Sequence, residues 1–181
     1  GLAEPDVVVV AASGTSGAGR ALKPHLLGSE VMGSVSAYAA GGTHRHTPEM
    51  VQNLSAVTGE PVTVSLTPTL APMSRGILAT IYVKMAPGVT ADQLRDALAE
   101  RYRKEYFVRV LPNGTAPATR HVRGSNFVLM SVHADRVPNR AIIMAVEDNL
   151  VKGASGQAVQ NMNVMAGFPE ETALEQLPLF P

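Results

Sequence analysis

Cysteine is absent from this sequence, and its absence excludes several kinds of site at once. The 181 residues contain 0 cysteines. The chain therefore has no disulfide bond, no metal site with thiolate ligands and no cysteine nucleophile. The last exclusion limits the chemistry that the chain can perform unaided.

Long apolar runs and an excess of charge of either sign are also missing. The longest apolar stretches, such as VVVVAA at 7–12, are far shorter than a membrane span, and no charged-then-apolar leader opens the chain. Lys and Arg number 15, Asp and Glu number 15, and the formal net charge is +0. No basic stripe is interleaved with aromatic residues. We therefore expect a cytoplasmic protein that binds neither membranes nor nucleic acid.

The composition suits one globular domain. A chain of 181 residues with 45% hydrophobic content is long enough for one well-buried core and short for two. We therefore predict a single domain over 1–181. The chain opens GLAEPD without methionine, and we interpret it as a fragment of a longer protein.

Apolar segments predict many strands. Some alternate apolar and polar residues, and others are apolar throughout, as in a strand buried on both faces. The strands at 127–133 and 141–147 are joined by a short turn, so we expect them to pair antiparallel. The predicted strands are 6–12, 31–40, 61–67, 76–85, 106–111, 127–133 and 141–147.

Three helices are predicted among these strands. They run from Thr47 to Gly59, from a capping box at Thr90 to about Lys104, and from about Leu150 to Met165. Few helices scattered among many strands indicate an α+β fold with a large mixed, mostly antiparallel sheet on which the helices pack. Strands and helices do not alternate along the chain as they do in a dinucleotide-binding fold, so we do not expect that fold.

Two histidines flank an arginine in THRHTPEM, residues 43–50. In an extended segment His44 and His46 point the same way. Thr47 suits the N-cap and Pro48 the first position of a helix. A helix N-terminus disfavours an imidazolium and offers free N–H groups to an anion. The pattern is typical of a proton-exchanging histidine beside a negatively charged ligand.

Two other interpretations of these histidines stay open. They can be surface residues beside an ordinary capped helix. Alternatively, His44, His46 and Glu49 form an H-x-H-x-x-E set of the kind that binds zinc or iron, although Glu49 is already explained as a partner of the helix dipole.

A glycine-rich loop, SGTSGAGR at 13–20, is the next candidate. Its spacing is G-x-x-G-x-G, which is not the dinucleotide fingerprint. The glycines still allow a flat or anionic ligand to approach the backbone, with Ser13, Ser16 and Arg20 as donors. The alternative is a simple turn.

Two further segments could contribute to a site. PMSRG at 72–76 places Arg75 at the start of a strand, where it suits a carboxylate or phosphate or a surface salt bridge. NLVKGASGQAVQNMN at 149–163 has a cluster of small residues at 153–156. Small residues indicate a close neighbour, which is either another helix or the face of a cofactor.

Five segments together resemble one family. ASGTSGAGR, HRHTPE, PMSRGILATIY, VRGSNF and DNLVKGASGQAVQNMN look, in this order, like the catalytic and dimerisation part of the N-acetyl-gamma-glutamyl-phosphate reductases. The resemblance runs from about Val7 to Pro169. HRHTPE separates this family from the related aspartate-semialdehyde and glyceraldehyde-3-phosphate dehydrogenases. The resemblance implies a fold like the C-terminal domain of glyceraldehyde-3-phosphate dehydrogenase.

The resemblance also implies an activity and three groups of site residues. The family uses NADPH to reduce N-acetylglutamyl phosphate to N-acetylglutamate semialdehyde and phosphate in arginine biosynthesis. The implied catalytic residues are His46 and His44, with His46 preferred for proton transfer. The implied substrate-binding residues are Arg20, Arg75 and Ser13. The residues expected near the cofactor are Gly17, Ala18, Gly19 and Gln157.

Two parts of the family pattern are missing from this sequence. The family has an NADP-binding Rossmann domain and an Asn-Pro-Gly-Cys motif, whose cysteine attacks the acyl phosphate. Without a nucleophile no thioacyl intermediate can form, so we expect the chain alone to be inactive and NADP to be bound by the full-length parent. We expect no metal, and we expect a homo-oligomer, a dimer or a tetramer, because the family uses this domain for subunit contacts.

Overall fold

A seven-stranded mixed sheet forms the centre of the molecule, in a computed structural model that describes residues 1–179. Its strands are β1 (Ala3–Ser13), β2 (Ser36–Ala37), β3 (Thr63–Leu70), β4 (Ile77–Met85), β5 (Val108–Val110), β6 (Val128–Ala134) and β7 (Arg140–Glu147).

The strands lie in the order β2-β3-β1-β4-β7-β6-β5. β1 and β3 are parallel, as are β5 and β6, and the other four neighbouring pairs are antiparallel. The predicted mixed, mostly antiparallel sheet is therefore confirmed, and so is the antiparallel pairing of β6 with β7. The two parallel pairs require crossover connections, which the sequence pattern did not reveal.

Within residues 1–179, four α-helices accompany the sheet: α1 (Gly28–Val31), α2 (Thr47–Thr58), α3 (Ala91–Arg101) and α4 (Gly156–Ala166). The predicted capping box of α3 is confirmed, since the Thr90 hydroxyl accepts the Gln93 N–H at 3.3 Å and Gln93 Oε1 accepts the Thr90 N–H at 2.8 Å. A π-helical turn, Val151–Ser155, precedes α4. No helix within residues 1–179 has the length and apolar character needed to cross a bilayer.

Most of the predicted strand at 31–40 is not a strand. β2 covers Ser36–Ala37 alone, and it pairs with Thr69 and Leu70 of β3. Gly33 and Ala39 have φ angles of +84° and +45°. These left-handed residues interrupt the extended backbone on both sides of β2.

One face of the sheet is covered by helices. Leu94 of α3 packs with Val83, Val132 and Ala141 in the main buried cluster. Burying a leucine of this kind contributes roughly 1.5–3 kcal/mol. α2 packs against β3.

The apolar stripes that predicted α2 and α4 are partly exposed. Val57 on α2 is 86% exposed, and Met162 and Met165 on α4 are 55% and 88% exposed. Helical periodicity correctly located both helices. The periodicity did not show whether other residues of this chain cover the apolar stripe of either helix.

One row of paired residues marks the end of the sheet where the candidate segments meet. Leu70 pairs with Ser13, Ser13 with Ile77 and Ile77 with Glu147, and we call this row the site end of the sheet. Three segments singled out from the sequence adjoin the sheet there: 13–20, 72–76 and 149–163.

Candidate active site

His44 and His46 lie side by side, but a turn brings them together. Their ring centroids are 5.0 Å apart and the rings are inclined at 77°. The chain bends at Gly41 and Gly42, which have φ angles of +72° and +77°, and the N–H of Thr47 donates to the His44 carbonyl at 2.9 Å. The predicted convergence of the imidazoles is confirmed, whereas the predicted extended segment is wrong.

The predicted N-cap at Thr47 is also wrong. α2 begins at Thr47, and the cap position belongs to His46, whose side chain makes no capping hydrogen bond. The Thr47 hydroxyl is buried without a hydrogen-bond partner. Thr47 donates its N–H to His44 and Pro48 has none, so Glu49 alone offers a free N–H among the first three helical residues. The helix end is therefore a weaker anion site than predicted.

The surroundings of His44 define its protonation state. The N–H of His46 donates to Nδ1 of His44 at 3.3 Å. This bond requires an unprotonated Nδ1, so the proton of the neutral ring lies on Nε2. Burial lowers the pKa of His44, and the nearby His46 and Arg45 lower it further. His44 is thus a neutral ring that donates through Nε2.

His46 is less restricted. Its residue is exposed, its ring contacts the His44 ring, and within residues 1–179 its side chain makes no hydrogen bond. Both ring nitrogens are open to a ligand. Of the two histidines, His46 is the one whose side chain has no hydrogen-bond partner within the described residues.

A second cluster lies where the segments around β1, β4 and β7 meet, with Asn149 at its centre. The Asn149 side chain accepts the Gly76 N–H at 2.6 Å through Oδ1, and its Nδ2 donates to the Ser16 hydroxyl at 2.9 Å. The Gly14 N–H donates to the Gly76 carbonyl at 2.9 Å. Asn149 thereby joins the glycine-rich loop to the loop that carries Arg75.

Asp148 is the acidic partner of Arg75 in this cluster. Nη1 of Arg75 lies 3.4 Å from Oδ2 of Asp148, and the two side chains are 40% and 0% exposed. Burial acts to raise the pKa of Asp148. Hydrogen bonds from the backbone N–H groups of Gly124, Leu150 and Val151 outweigh burial. Arg75 acts in the same direction, so the pKa of Asp148 lies below its ordinary value and the carboxylate is charged.

The other candidate residues divide between this cluster and the surface. A Cβ added to Gly17 would lie 3.5 Å from Asn149 Nδ2 and 3.6 Å from the Ser13 hydroxyl, so Ser13 and Gly17 belong to the cluster. The residues that follow Gly17, which are Ala18, Gly19 and Arg20, are exposed.

Gln157 lies apart from the cluster. Its side-chain amide donates to Asn161 Oδ1 at 3.0 Å, one turn further along α4. Within the described chain its side chain therefore hydrogen-bonds to its own helix and to none of the other candidate residues.

Asp148 and Asn149 were not among the residues singled out as a site. The available signal was their position, because two polar residues directly follow an apolar strand and precede a helix. An aspartate there serves as a helix cap, and Oδ1 of Asp148 indeed accepts the N–H groups of Leu150 and Val151, where the π-helical turn begins. The contact of Asp148 with Arg75 spans 73 positions and has no local signature.

The metal interpretation lacks structural support. Across residues 1–179, no three His, Asp or Glu side chains lie close enough together to hold a metal ion. Glu49 does not join His44 and His46 in such a group.

Glu147 is a partly buried carboxyl beside this cluster. Burial raises its pKa, the nearby Lys152 acts in the opposite direction, and Asp148 reinforces the increase. Burial likewise lowers the pKa of Lys152. Both groups are therefore held in surroundings that disfavour charge.

We expect Glu147→Gln to raise the free energy of unfolding at pH 8. The folded-state pKa of Glu147 is above its ordinary value of 4.5, so its ionisation weakens the fold as pH rises, and stability is regained as pH falls. The gain of the variant should shrink as pH falls and vanish below pH 4.5, where the carboxyl is protonated in the folded and the unfolded chain alike. Urea unfolding at several pH values tests this, with the exposed Glu60→Gln as control. A gain that grows toward acid pH would contradict it.

The histidine pair and the second cluster belong to the same end of the sheet. β3 begins at Thr63, which pairs with Asp6 at the far end, so α2, which leads into β3, starts toward the site end. The Tyr38 ring lies 5.8 Å from the His44 ring. The backbone N–H of Tyr38 donates to the carbonyl of Pro68, near the end of β3.

The fold recurs in semialdehyde dehydrogenases of known structure. Aspartate semialdehyde dehydrogenase II from Vibrio cholerae matches with a TM-score of 0.71 at 18% identity, over 90% of this chain and 55% of that chain. The Francisella tularensis enzyme matches with a TM-score of 0.70 at 12% identity, over 91% of this chain and 58% of that chain. At these identities the likeness concerns the fold.

The sequence defines the class more closely. The family model of the semialdehyde dehydrogenase dimerisation domain matches residues 1–149. This chain belongs to that family.

Among similar sequences, the N-acetyl-gamma-glutamyl-phosphate reductase of Rhodospirillum rubrum is 59% identical over 182 residues, covering 100% of this chain and 51% of that protein. The reductase of Streptomyces coelicolor is 59% identical over 180 residues, covering 99% and 53%. The resemblance seen in the five motifs is confirmed. The chain spans about half the length of the curated relatives that it matches.

Proposed function

We propose that this chain is the substrate-binding and dimerisation domain of an NADPH-dependent N-acetyl-gamma-glutamyl-phosphate reductase. The full-length enzyme converts N-acetylglutamyl phosphate to N-acetylglutamate semialdehyde and phosphate. A cytoplasmic location belongs to the same proposal and rests on the family resemblance alone.

One observation supports this assignment above the others. The histidine pair and Arg75 come from distant parts of the sequence and lie toward the same end of one sheet. A substrate with an anionic group and a reacting carbonyl needs such a pairing, in which a cation fixes the substrate and a neutral imidazole moves a proton.

The two histidines take different roles in this proposal. His46 transfers the proton, because its ring is exposed and makes no hydrogen bond within the described chain. His44 positions the substrate, because its Nδ1 is occupied by the His46 N–H and its Nε2–H remains to donate. Ser13, Arg75 and Arg20 are the proposed substrate-binding residues, and Arg75 forms an ion pair with Asp148 of the cluster.

The glycine-rich loop fits the nicotinamide end of NADP. Gly17, Ala18 and Gly19 are exposed and carry at most a methyl group, so a planar ring can approach their backbone. Gln157 is the proposed partner of the carboxamide, for which its amide must leave Asn161. When bound, NADPH supplies the hydride. The residues that bind the rest of the cofactor must come from outside this chain. So must the cysteine nucleophile, because the cysteine count of the chain is 0.

We expect the isolated chain neither to bind NADPH with useful affinity nor to reduce an acyl phosphate. The full-length protein should oxidise N-acetylglutamate semialdehyde in the presence of phosphate and NADP, the reverse of the proposed reaction. Aspartate semialdehyde is the matched control substrate and should react poorly. Turnover by the isolated chain, verified by intact mass, would contradict the proposal, and so would a preference of the full-length protein for aspartate semialdehyde.

The open face of the sheet is the proposed dimerisation surface. Val8 and Val10 on β1 are 42% and 40% exposed, although β1 has neighbouring strands on both sides. Across the sheet, Val10 pairs with Thr80, and Thr80 with Met144. Exposed apolar residues at the centre of a sheet face suit a second copy of the domain, in a dimer or a tetramer of the parent.

We expect Val10→Lys to weaken self-association of the chain by more than about tenfold, because an unpaired charge would be buried between two copies. Val10→Thr keeps the shape without the charge and is the matched control. Light scattering across a micromolar concentration series measures both variants. If the unchanged chain is monomeric throughout, or if Val10→Lys associates as the unchanged chain does, this face is not the dimerisation surface.

A further inference from the structure

We infer that Asp148 is a positioning residue of the substrate site, which holds the guanidinium of Arg75 in the orientation that receives the anionic group of the substrate. The inference rests on the proposed function, because it assumes that Arg75 binds substrate. It assigns a role to a residue that does not itself touch the substrate.

The carboxylate of Asp148 is fixed before it meets Arg75. Oδ1 accepts the N–H groups of Leu150 at 2.8 Å and Val151 at 3.1 Å. Oδ2 accepts the Gly124 N–H at 2.7 Å. Three donors from two separate segments hold a side chain that is 0% exposed, so the carboxylate cannot follow a mobile partner. Arg75 must come to it.

Arg75 is restrained at both ends of its side chain. At its tip, Nη1 lies 3.4 Å from Oδ2 of Asp148. At its base, the next residue, Gly76, donates its N–H to Asn149 Oδ1 at 2.6 Å. A free arginine loses considerable rotamer entropy when it binds an anion, and restraint in advance reduces that loss.

The contact leaves most of the guanidinium available. Arg75 has five N–H donors, Asp148 engages Nη1, and the side chain is 40% exposed. A carboxylate or a phosphate can therefore bind the open side while Asp148 holds the other. Arg20 is the internal contrast, because it is exposed and has no ion pair in the described part of the chain.

A purely structural role for Asp148 predicts a different outcome. If Asp148 only caps the π-helical turn, replacing it should change stability and the kinetic constants by the same amount whether or not Arg75 is present. As a positioning residue, it acts through Arg75 and loses its effect on substrate affinity when Arg75 is removed. Coupling between the two positions separates the two roles.

The first test is a double-mutant cycle in the full-length protein with Arg75→Ala and Asp148→Asn. Arg75→Ala should raise KM for N-acetylglutamyl phosphate about 10- to 100-fold, the range of a lost charge-assisted hydrogen bond, and change kcat less. Asp148→Asn should raise KM in the same direction, but by less than about twofold in the Arg75→Ala background. Added guanidinium ion should restore the KM of Arg75→Ala when Asp148 is present and not when it is Asn.

The second test needs no substitution at Asp148 and no turnover. In the unchanged protein, the NMR signals of the Arg75 guanidinium should show restricted rotation, and those of Arg20 should not. Equal mobility of the two side chains would overturn the inference, even if Asp148→Asn fails to fold.

The outcomes of the cycle separate the inference from the proposed function. Suppose that Arg75→Ala raises KM. If Asp148→Asn then leaves KM unchanged, or raises it as much in the Arg75→Ala background as in the unchanged protein, the positioning role is wrong and the substrate role of Arg75 stands. If Arg75→Ala leaves KM unchanged, the substrate role of Arg75 is wrong and the inference falls with it.

Discussion

Replacing His46 by Asn in the full-length protein is expected to lower kcat of the proposed reaction by roughly 10²–10⁴-fold, the range of general acid-base catalysis. The loss corresponds to about 3–5 kcal/mol of transition-state stabilisation. Asn keeps a similar size and a hydrogen-bonding group but cannot exchange a proton near neutral pH. The exposed His46 ring makes no hydrogen bond within residues 1–179, so little structural loss should accompany the substitution. Steady-state kinetics with N-acetylglutamyl phosphate and NADPH measures the effect.

His44→Asn is the matched comparison, because it makes the same chemical change 5.0 Å away. It should act mainly on KM, since lost binding that is common to the ground and transition states leaves kcat alone. A loss of kcat in His44→Asn and a rise of KM in His46→Asn would exchange the roles of the two histidines. It would also contradict the inference that His44, whose Nδ1 accepts the His46 N–H, only positions the substrate. Changes below about threefold in every constant, far under the range of acid-base catalysis, would make both histidines structural.

Gly14→Ala is expected to destabilise the chain by about 1–3 kcal/mol through overpacking. Gly14 has a φ of −70° and a ψ of 156°, which alanine adopts freely, so the cost is steric. An added Cβ would lie 2.8 Å from the Arg75 backbone nitrogen and 2.9 Å from its Cα and carbonyl carbon. Backbone atoms cannot rotate away, so the two loops must separate. The hydrogen bond from Gly14 to the Gly76 carbonyl would then be lost.

Gly17→Ala, in the same loop, is the control with the opposite sign. Its Cβ would meet neighbours at 3.5 Å and 3.6 Å, which is ordinary contact, and its φ is not in the left-handed region. Such a substitution stabilises by roughly 0.4–1 kcal/mol, because it reduces the freedom of the unfolded chain. Urea unfolding of the two variants decides the matter. Equal stabilities would show that the loops at Gly14 and Arg75 can separate without cost.

Sheet topology explains how residues so far apart in the sequence share one site. β1 lies between β3 and β4, so the loop after β1 lies beside the loop before β4. β7 pairs with the edge of β4 opposite β1 and brings Asp148 and Asn149 to the site end of the sheet. Each connection contributes one short loop to the site end, and the sheet holds those loops in register.

Short-range patterns in the sequence were sufficient for the family and for α2, α3 and α4, whereas the short helix α1 was not predicted. The capping box of Thr90 and Gln93 depends on residues three positions apart, so its prediction needed no tertiary information. The antiparallel pairing of β6 and β7 followed from a short turn for the same reason. The five motifs identified the family before any fold was known. The closeness of His44 and His46 was also a local matter, although a turn rather than a strand produces it.

Tertiary structure alone decided which of these local features meet. Nothing between Leu70 and Ile77 indicates that β1 separates β3 from β4, because strand order depends on the burial of whole faces of the sheet. The contact between Arg75 and Asp148 spans 73 positions, and it forms because two strand ends lie side by side. The apolar stripe of α4 shows the same limit. Periodicity gives the direction of a stripe along its helix, whereas its exposure depends on what the rest of the fold places against it.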